Sequence, residues 1–430
     1  MDQPSAIWSH CLDQASLSDV GLQRANNQDA FVVALADNQA DFEKRGHLFM
    51  VADGMGAHAA GELASKMAVD IVSMVYRKRL ERLPSEAILL ANINANHQIY
   101  SRGLASPDFR GMGTTATTLL LLGGGVLVAH VGDSRAYRWR NHRLDQLTFD
   151  HSLVWEMRAA GQFPNGQLPS YVSKNIITRS LGPHPAVKVD LEGPHPAQIG
   201  DVFLLCSDGL SNQLKDDEIG LILGCLPPAE AVRVLADLAN LRGGPDNITV
   251  VVAKVLGPQI AQTTTDTNPV RADPHKYPPI HPVIWILMGV AFLAGIGLFG
   301  LGYPWSGILS LACAAMAGVT AVMQRYAGTK RSRLEERKFG RGPYVSSDCT
   351  PNPDLLSRLN SVLQELHDTA IHENWQVDWN TFNGFIHRAS AATQAARFPD
   401  AANELLHALL FIMNQLRQFR EAAGEDVAGP

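Results

Sequence analysis

Residues 47–56 read HLFMVADGMG, an apolar run that stops at the pair Asp53-Gly54. A second apolar run, VFLLC at 202–206, is followed one residue later by Asp208-Gly209. An Asp-Gly pair between two strands is a common hairpin turn, and this interpretation predicts a strand directly after each pair. After both pairs, however, apolar residues recur at three- and four-residue intervals, which predicts helices. Each aspartate is therefore expected at the end of a buried strand, where a loop begins and a binding site can form.

Three more aspartates stand beside apolar runs. Asp133 closely follows the run 125–131, and Asp29 and Asp246 closely precede two others. Taken singly, each of them is more often a turn or cap residue than a ligand. Five carboxylates beside five predicted strands nevertheless lead to the hypothesis that they form one site.

Carboxylates that converge repel one another, so such a cluster needs cations or protons. A set of oxygen ligands without cysteines or a metal-binding histidine spacing indicates Mg²⁺ or Mn²⁺. Two such ions about 3.5–4 Å apart can share a carboxylate and hold a hydroxide that attacks a phosphate ester. Arg24 is the candidate for a bidentate clamp on the phosphate, although an isolated arginine is more often a surface salt-bridge residue.

Eight short motifs follow one another between residues 15 and 256: RANNQD (24–29), VADGMG (51–56) with His58 and Gly61-Glu62 close behind, GTT (113–115), VGDSR (131–135), DHS (150–152), TRSLG (178–182), SDGL (207–210) and DNIT (246–249). Each motif is weak alone, whereas all eight in this order are highly specific. In these motifs the chain resembles the metal-dependent serine/threonine protein phosphatase family (type 2C), in its bacterial form.

The resemblance implies an α+β fold, a four-layer αββα sandwich of two antiparallel sheets flanked by helices, with a metal centre at one end. By motif position, Asp53 would bridge two Mn²⁺ or Mg²⁺ ions, and Asp208 and Asp246 would complete the first ion. The carbonyl of Gly54 would bind the second ion, and Asp29 would hold its water.

The resemblance also implies roles around this centre. Asp133 would support a third, weaker ion, and Arg24 would bind the phosphate beside the catalytic Asp53. Residues 155–178 match a mobile flap. Animal and plant members often carry a histidine, a proposed general acid, where this chain has Met55. Because methionine cannot donate a proton, a metal-bound water is expected to protonate the leaving group.

Composition excludes several classes of protein. The net charge is −6 over 430 residues, and no basic stripe with interleaved aromatics is present, which argues against nucleic-acid binding. The five cysteines lack CxxC spacing, which favours reduced structural thiols over disulfides or a zinc site. His58 and His151 are predicted to be hydrogen-bonding or packing residues. The N-terminus has no evident secretory signal.

One segment predicts a membrane anchor. No charged residue occurs from Pro282 to Gln324, and residues 302–306 interrupt the apolar run. Since a helix needs about 20 apolar residues to span a bilayer, the segment suits two transmembrane helices joined by a tight turn. Basic residues on both flanks predict a multi-pass protein of the cytoplasmic membrane, with the catalytic domain and the C-terminus in the cytosol. The alternative is a buried, soluble helical hairpin.

The chain is thus predicted to comprise a phosphatase domain at 1–256, a linker at 257–281, a membrane hairpin at 282–324, and a basic juxtamembrane stretch with a helical module at 325–430. Leucines at three- and four-residue spacing predict the helices of this module between residues 353 and 421. From sequence its role stays open among a sensor, a docking surface, a dimer contact and a self-packed bundle, and its partner is unknown.

The function predicted from these features is hydrolysis of phosphoserine and phosphothreonine in proteins by a water that two metal ions activate. The enzyme would oppose Ser/Thr kinases, and a kinase itself is one candidate substrate. The alternative is a catalytically weak, phosphoprotein-binding scaffold on the same fold. A transporter subunit is disfavoured because two spans without an intramembrane charge make a poor pore.

Overall fold

The computed structural model describes residues 8–56, 59–161, 176–261 and 339–423, with 290, 293–298, 300–303, 305–306, 308–312 and 315. The described residues up to 261 and from 339 onward form one compact unit, and those from 290 to 315 belong to a second unit. His58 and residues 162–175 of the predicted flap lie outside the described residues.

Two antiparallel sheets form the centre of the first unit. The first sheet has six strands in the order β1 (Leu12–Asp19), β11 (Ile248–Val255), β10 (Val202–Cys206), β7 (Arg135–Arg140), β8 (Arg143–Gln146) and β12 (Val345–Asp348). The second sheet has the order β2 (Asp29–Ala34), β3 (His47–Met55), β5 (Ala116–Leu122), β6 (Gly125–Val131) and β9 (Asp190–Pro196), and the short β4 (Gly113–Thr114) pairs with the end of β3.

Helices cover the outer faces of both sheets. In chain order they are α1 (Gln39–Arg45), α2 (Ala59–Lys78), α3 (Pro84–Ala105), α4 (Leu153–Ala159), α5 (Asp208–Ser211), α6 (Asp216–Cys225), α7 (Pro228–Leu241), α8 (Pro353–His372), α9 (Trp379–Gln394) and α10 (Phe398–Ala423). Helices α2 and α3 share a core with the second sheet, and α6, α7 and the C-terminal helices share one with the first. The predicted αββα layering is confirmed.

The position of β3 in the sandwich explains why its sequence is almost wholly apolar. Phe49 and Val51 pack between the two sheets, and the alternate residues Met50 and Ala52 pack under the helices. Both faces of the strand are buried, as expected when side chains alternate across a sheet that is covered on both sides.

The end of β3 differs from the prediction. The sequence predicts that the strand ends at Asp53, but it continues to Met55 because Gly54 and Met55 pair with β4. After Asp208, the predicted single helical segment divides into α5 and α6. Asp53 thus lies near the end of β3, and Asp208 is the first residue of α5, directly after the loop residue that follows β10.

The C-terminal helices belong to the same compact unit as the two sheets. Leu359 of α8 and Leu406 of α10 lie in one buried cluster with Leu235 of α7. Strand β12 adds a sixth strand to the first sheet by pairing with β8. The helices predicted from leucine spacing are therefore confirmed, and they pack on the domain from which the sequence separates them.

Most of the predicted membrane hairpin, residues 282–324, lies outside the described residues. Within the part of the chain that is described, no helix combines the length and the hydropathy that a membrane span requires.

The shared core predicts that the C-terminal helices and the first sheet unfold together. Leu406→Ala removes a fully buried side chain and is expected to lower the free energy of unfolding by roughly 2–5 kcal/mol. Urea unfolding measures the change in the free energy of unfolding. Amide hydrogen exchange shows whether α7 loses protection together with the C-terminal helices.

The matched control is Ser357→Ala on the exposed side of α8, which should leave exchange in α7 unchanged. Unchanged protection of α7 in Leu406→Ala would show that the helices form an independent module.

Candidate functional site

The ends of both sheets bring acidic residues together. Because β2 and β3 are antiparallel, Asp29 lies directly opposite Asp53. Asp29 Oδ2 accepts a hydrogen bond of 2.7 Å from Ser207 Oγ, which follows β10 in the other sheet. Ser207 Oγ in turn accepts from the backbone N–H of Thr249 in β11 at 2.9 Å. Ser207 thus connects one sheet to the other at the acidic end.

Asp208 and Asp246 approach the same place from the first sheet. Asp208 begins α5, and its Oδ2 accepts from Asn212 Nδ2 at 3.1 Å. A Cβ added to Gly209 would lie 2.0 Å from the Asn247 carbonyl oxygen, so only glycine lets α5 approach this loop. The loop carries Asp246, whose Oδ2 accepts from Arg24 Nη2 at 2.7 Å.

Asn247 fixes the loop that carries Arg24. Its Oδ1 accepts from the Gln28 backbone N–H at 2.8 Å. Its Nδ2 donates to the carbonyls of Val20 and Asn26 at 2.8 and 3.0 Å. The sequence includes Asn247 in a motif but gives it no role, and an amide beside a strand-end aspartate is the only signal that points to it.

Asp53 is fixed by its backbone. Its N–H donates to Thr115 Oγ1 at 2.8 Å, and its carbonyl accepts from Thr114 Oγ1 at 2.9 Å. Thr115 Oγ1 also shares a 2.7 Å hydrogen bond with Ser134 Oγ, beside Asp133. Among the described residues, none forms an ion pair with the carboxylate of Asp53, whose backbone these hydrogen bonds hold in place.

Gly54 allows a close approach of three backbone segments. A Cβ at this position would lie 2.1 Å from the carbonyl oxygen of Gly61 in α2 and 2.6 Å from that of Gln28. The Gly54 N–H donates to the same Gln28 carbonyl at 3.0 Å.

Burial and mutual repulsion raise the pKa values of these carboxyl groups. Burial is the first cause for Asp53, whose pKa lies well above its ordinary value, and the charges of Asp29, Asp208, Asp133 and Asp246 raise it further. Burial raises the pKa of Asp29 to about 7, although the Ser207 hydrogen bond acts against the rise. Burial and then the charge of Asp208 raise the pKa of Asp133 to about 7. The four other aspartates therefore lie within electrostatic reach of Asp53.

The oxygens at this end fit hard divalent ions in charge and atom type. Three buried carboxylate oxygens, Oδ1 of Asp29, Asp133 and Asp208, find no hydrogen-bond partner among the described residues. An unpartnered buried oxygen is costly, and a divalent cation would satisfy it while relieving the repulsion. The coordination geometry itself is not formed, since no three acidic, histidine or cysteine side chains of the described residues are arranged to hold an ion.

The remaining residues singled out in the sequence are Arg24, His151 and the cysteines. Arg24 lies at the rim of the cluster with its side chain 49% exposed. His151 is fully buried, accepts from the Gly132 N–H at 3.0 Å and pairs with Asp190 at 3.0 Å, which confirms the hydrogen-bonding role. Of the cysteines, the structure describes Cys11, Cys206, Cys225 and Cys349, all as free thiols.

Comparison with known proteins decides the family. The model of the protein phosphatase 2C family matches residues 23–241. The chain belongs to this family. A serine/threonine phosphatase of Listeria monocytogenes serotype 4b is 38% identical over 227 residues, which cover 51% of this chain and 89% of that protein. The serine/threonine protein phosphatase PstP of Mycobacterium tuberculosis is 36% identical over 257 residues, or 59% of this chain and 46% of that one.

A solved structure agrees with this assignment. The serine/threonine phosphatase of S. agalactiae is 36% identical, with a TM-score of 0.50, and the match covers 57% of this chain and 99% of that one. The protein is therefore a serine/threonine protein phosphatase of the 2C family, as its eight motifs predict.

Metal binding by the acidic cluster should depend on pH. Asp29 and Asp133 have pKa values raised from 3.8 to about 7, so they hold protons that a metal ion must displace in mild acid. In the metal-free protein, this pair of shifts contributes stability that is complete below pH 3.8 and is lost as the pH rises through about 7. We expect Mn²⁺ to raise the melting temperature clearly at pH 7.5 and hardly at pH 5.0, measured by calorimetry.

Asp53→Asn should remove most of the Mn²⁺ effect at pH 7.5, whereas Asp70→Asn, on the exposed side of α2, should keep it. An equal Mn²⁺ shift in the wild type and Asp53→Asn would place the ion elsewhere.

Proposed function

We propose that the protein hydrolyses phosphoserine and phosphothreonine in proteins with a water activated by two Mn²⁺ or Mg²⁺ ions. The observation that carries this proposal is the group of buried carboxylates whose Oδ1 atoms have no partner among the described residues, at Asp29, Asp133 and Asp208. When bound, the ions would supply Lewis acidity and a water that is nucleophilic at neutral pH.

The arrangement of the strands supports a division of roles among the ligands. Asp53 is centrally placed, since the charges of all four other aspartates act on it, and this suits a carboxylate shared by two ions. Asp208 and Asp246 would hold the first ion. The Gly54 carbonyl and Asp29 would serve the second.

Asp133 lies at the side of the cluster, after β6, and would hold a third, weaker ion. Its Oδ1 is buried without a partner among the described residues, and the side chain is only 8% exposed. The number of ions and their distribution over these side chains are parts of the proposal.

Arg24 would bind and orient the phosphate. Its guanidinium is half exposed, so a phosphate that arrives from solvent meets it before it reaches the buried carboxylates. Its present bonds go to Asp246 Oδ2 and, at 3.3 Å, to the Pro245 carbonyl. A planar guanidinium can bind two phosphate oxygens at once, which would orient the phosphorus toward the acidic cluster.

Release of phosphate from a phosphothreonine peptide tests this proposal. We expect Mn²⁺-dependent turnover, lost in Asp53→Asn and Asp208→Asn. Arg24→Ala should lower kcat/KM about 10- to 100-fold, the effect of removing 1.4–3 kcal/mol of charge-assisted hydrogen bonding to the phosphate. Undiminished turnover in either aspartate variant would refute the site.

The matched control is Arg79→Ala, which removes an equally exposed guanidinium whose ionic partner is Glu81, away from the cluster. It should leave kcat/KM unchanged. Binding of Mn²⁺ and phosphopeptide without any turnover would support the alternative function, a phosphoprotein-binding scaffold.

We also propose that the protein is anchored in the cytoplasmic membrane by a hairpin within residues 282–324. This stretch lacks charged residues. In its described part, large apolar side chains are exposed, including Leu293 at 70% and Trp305 at 83%. Exposed apolar groups of this size are unfavourable in water and favourable in lipid. The basic flanks would keep the catalytic domain and the C-terminus in the cytosol.

Carbonate extraction of membranes tests the anchor. The full chain is expected to stay in the membrane pellet, and a chain lacking 282–324 should move to the supernatant. Release of the full chain by carbonate would contradict the anchor without affecting the proposed chemistry.

The proposed substrates are proteins phosphorylated by Ser/Thr kinases of the same cell, with a kinase among the candidates. The support is the activity by which the matching serine/threonine phosphatases are named. Phosphoproteins that accumulate when the gene is deleted would identify them, and an unchanged phosphoprotein profile would count against this role.

A further inference from the structure

A segment outside the range matched by the family model connects the two sheets. This segment, residues 339–349, is called the strap here. At its start, Phe339 exchanges two backbone hydrogen bonds, 2.6 and 3.1 Å, with Gly193 of β9 in the second sheet. Further along, the Tyr344 N–H donates to the Gln146 carbonyl at 2.8 Å, and β12 pairs with β8 in the first sheet. The strap therefore joins an edge strand of each sheet.

The strap holds β9 through a buried glutamate. Glu192 is 2% exposed, and its carboxylate accepts from Tyr344 Oη at 2.5 Å and from the Gly342 N–H at 3.1 Å. Two residues earlier in the same strand, Asp190 pairs with His151 Nε2 at 3.0 Å. The position of His151 thus depends on a strand that the strap fixes.

A second chain of hydrogen bonds, like the first one through β9, runs from the strap toward Asp133 and passes through the first sheet. Each such chain is called a route here. Ser347 Oγ donates to Asp216 Oδ2 at 3.3 Å, and Tyr137 Oη donates to Asp216 Oδ1 at 3.2 Å. Tyr137 Oη accepts from Arg135 Nη1 at 2.9 Å. Arg135 Nη2 donates to Asp150 at 2.7 Å. The tyrosine hydroxyl is therefore the link between the strap and the buried Arg135–Asp150 pair.

Gln146 forms a third and shorter route. Its carbonyl accepts from the strap, and its Nε2 donates to Asp150 Oδ1 at 2.8 Å. All three routes meet at Asp150 and its neighbour His151. This pair of residues holds the loop that carries Asp133, because His151 and Gly132 exchange hydrogen bonds in both directions, at 2.7 and 3.0 Å.

We propose that the strap is a positioning element for Asp133, and that it sets the affinity for the ion that Asp133 would support. Tyr137 and Tyr344 are the positioning residues, since each supplies a hydroxyl to one route. The inference rests on the metal site of the proposed function. It implies that docking of the C-terminal segment tunes the site from the far edges of both sheets.

A titration of the full chain with Mn²⁺ tests this inference without an activity assay. Electron paramagnetic resonance measures the concentration of the free ion at each step. Tyr137→Phe and Tyr344→Phe are each expected to weaken the weakest Mn²⁺ site about fivefold, the factor that corresponds to one hydrogen bond of average strength. The tighter binding should stay unchanged.

The matched control is Tyr76→Phe. Tyr76 is as buried as Tyr137, but its hydroxyl donates to the Arg45 carbonyl at 2.8 Å, on the helical side of the second sheet. A general loss of stability from a missing buried hydroxyl would appear in this variant too. If the affinity of the weakest Mn²⁺ site is the same in all three phenylalanine variants, the strap has no positioning role. The proposed function would not be affected by that result.

If the wild type binds no Mn²⁺, the proposed metal site is overturned. The positioning role of the strap is then tested separately by amide hydrogen exchange. Amide exchange over residues 131–135 is expected to accelerate in Tyr344→Phe and not in Tyr76→Phe. Because Tyr344 is only half-buried, its variant also remains informative if Tyr137→Phe does not fold. Unchanged exchange in Tyr344→Phe would overturn the strap as a positioning element.

Discussion

The repulsion among buried carboxylates at one end of the sandwich is the constraint that organises this protein. Asp53 lies among four other aspartates, and every one of them raises its pKa. A fold that buries such a group must hold its central carboxylates by contacts that do not neutralise them. The anchors are accordingly neutral: Ser207 holds Asp29, and Thr114 and Thr115 hold the backbone of Asp53. The charge of the cluster is thereby left for cations to compensate.

Among the described residues, the two arginines next to this cluster lie at its edges and not among its central aspartates. Arg24 bonds Asp246 at the solvent side, and Arg135 pairs with Asp150 behind Asp133. An arginine among the central aspartates would lower their pKa values and occupy the oxygens that an ion needs. The two-sheet architecture makes this separation possible, because strands from both sheets bring carboxylates to one end, while Arg24 lies in the loop before β2 and Arg135 at the first position of β7.

The sequence predicts those features that have a period or a local rule. Alternating burial explains the apolar run of β3, and leucine spacing locates α8 and α10. Asp-Gly pairs followed by helical spacing locate two of the acidic residues. The contact between α6 and the C-terminal segment has no such signal. A Cβ at Gly220 would lie 2.1 Å from Cys349 Sγ, so the fit depends on a glycine and a cysteine 129 positions apart in sequence, counted as 349 − 220. The contacts of Ser207 and Asn247 cannot be read from the sequence either, since each joins segments that meet only in the folded chain.

The C-terminal region contains two kinds of attachment with different physical character. Helices α8 and α10 are held by buried leucines that share the core of the first sheet, and hydrophobic attachment of this extent opens only with the sheet itself. The strap is attached by hydrogen bonds to β8 and β9 and by packed side chains at its two ends, Phe339 and Cys349, whereas Ser346 and Asp348 of β12 are exposed. Backbone hydrogen bonds at an exposed edge open at a lower free-energy cost than a buried core. We therefore expect β12 to open at a lower free-energy cost than the helices, which makes it the part of the C-terminal region best suited to change the surroundings of Asp133.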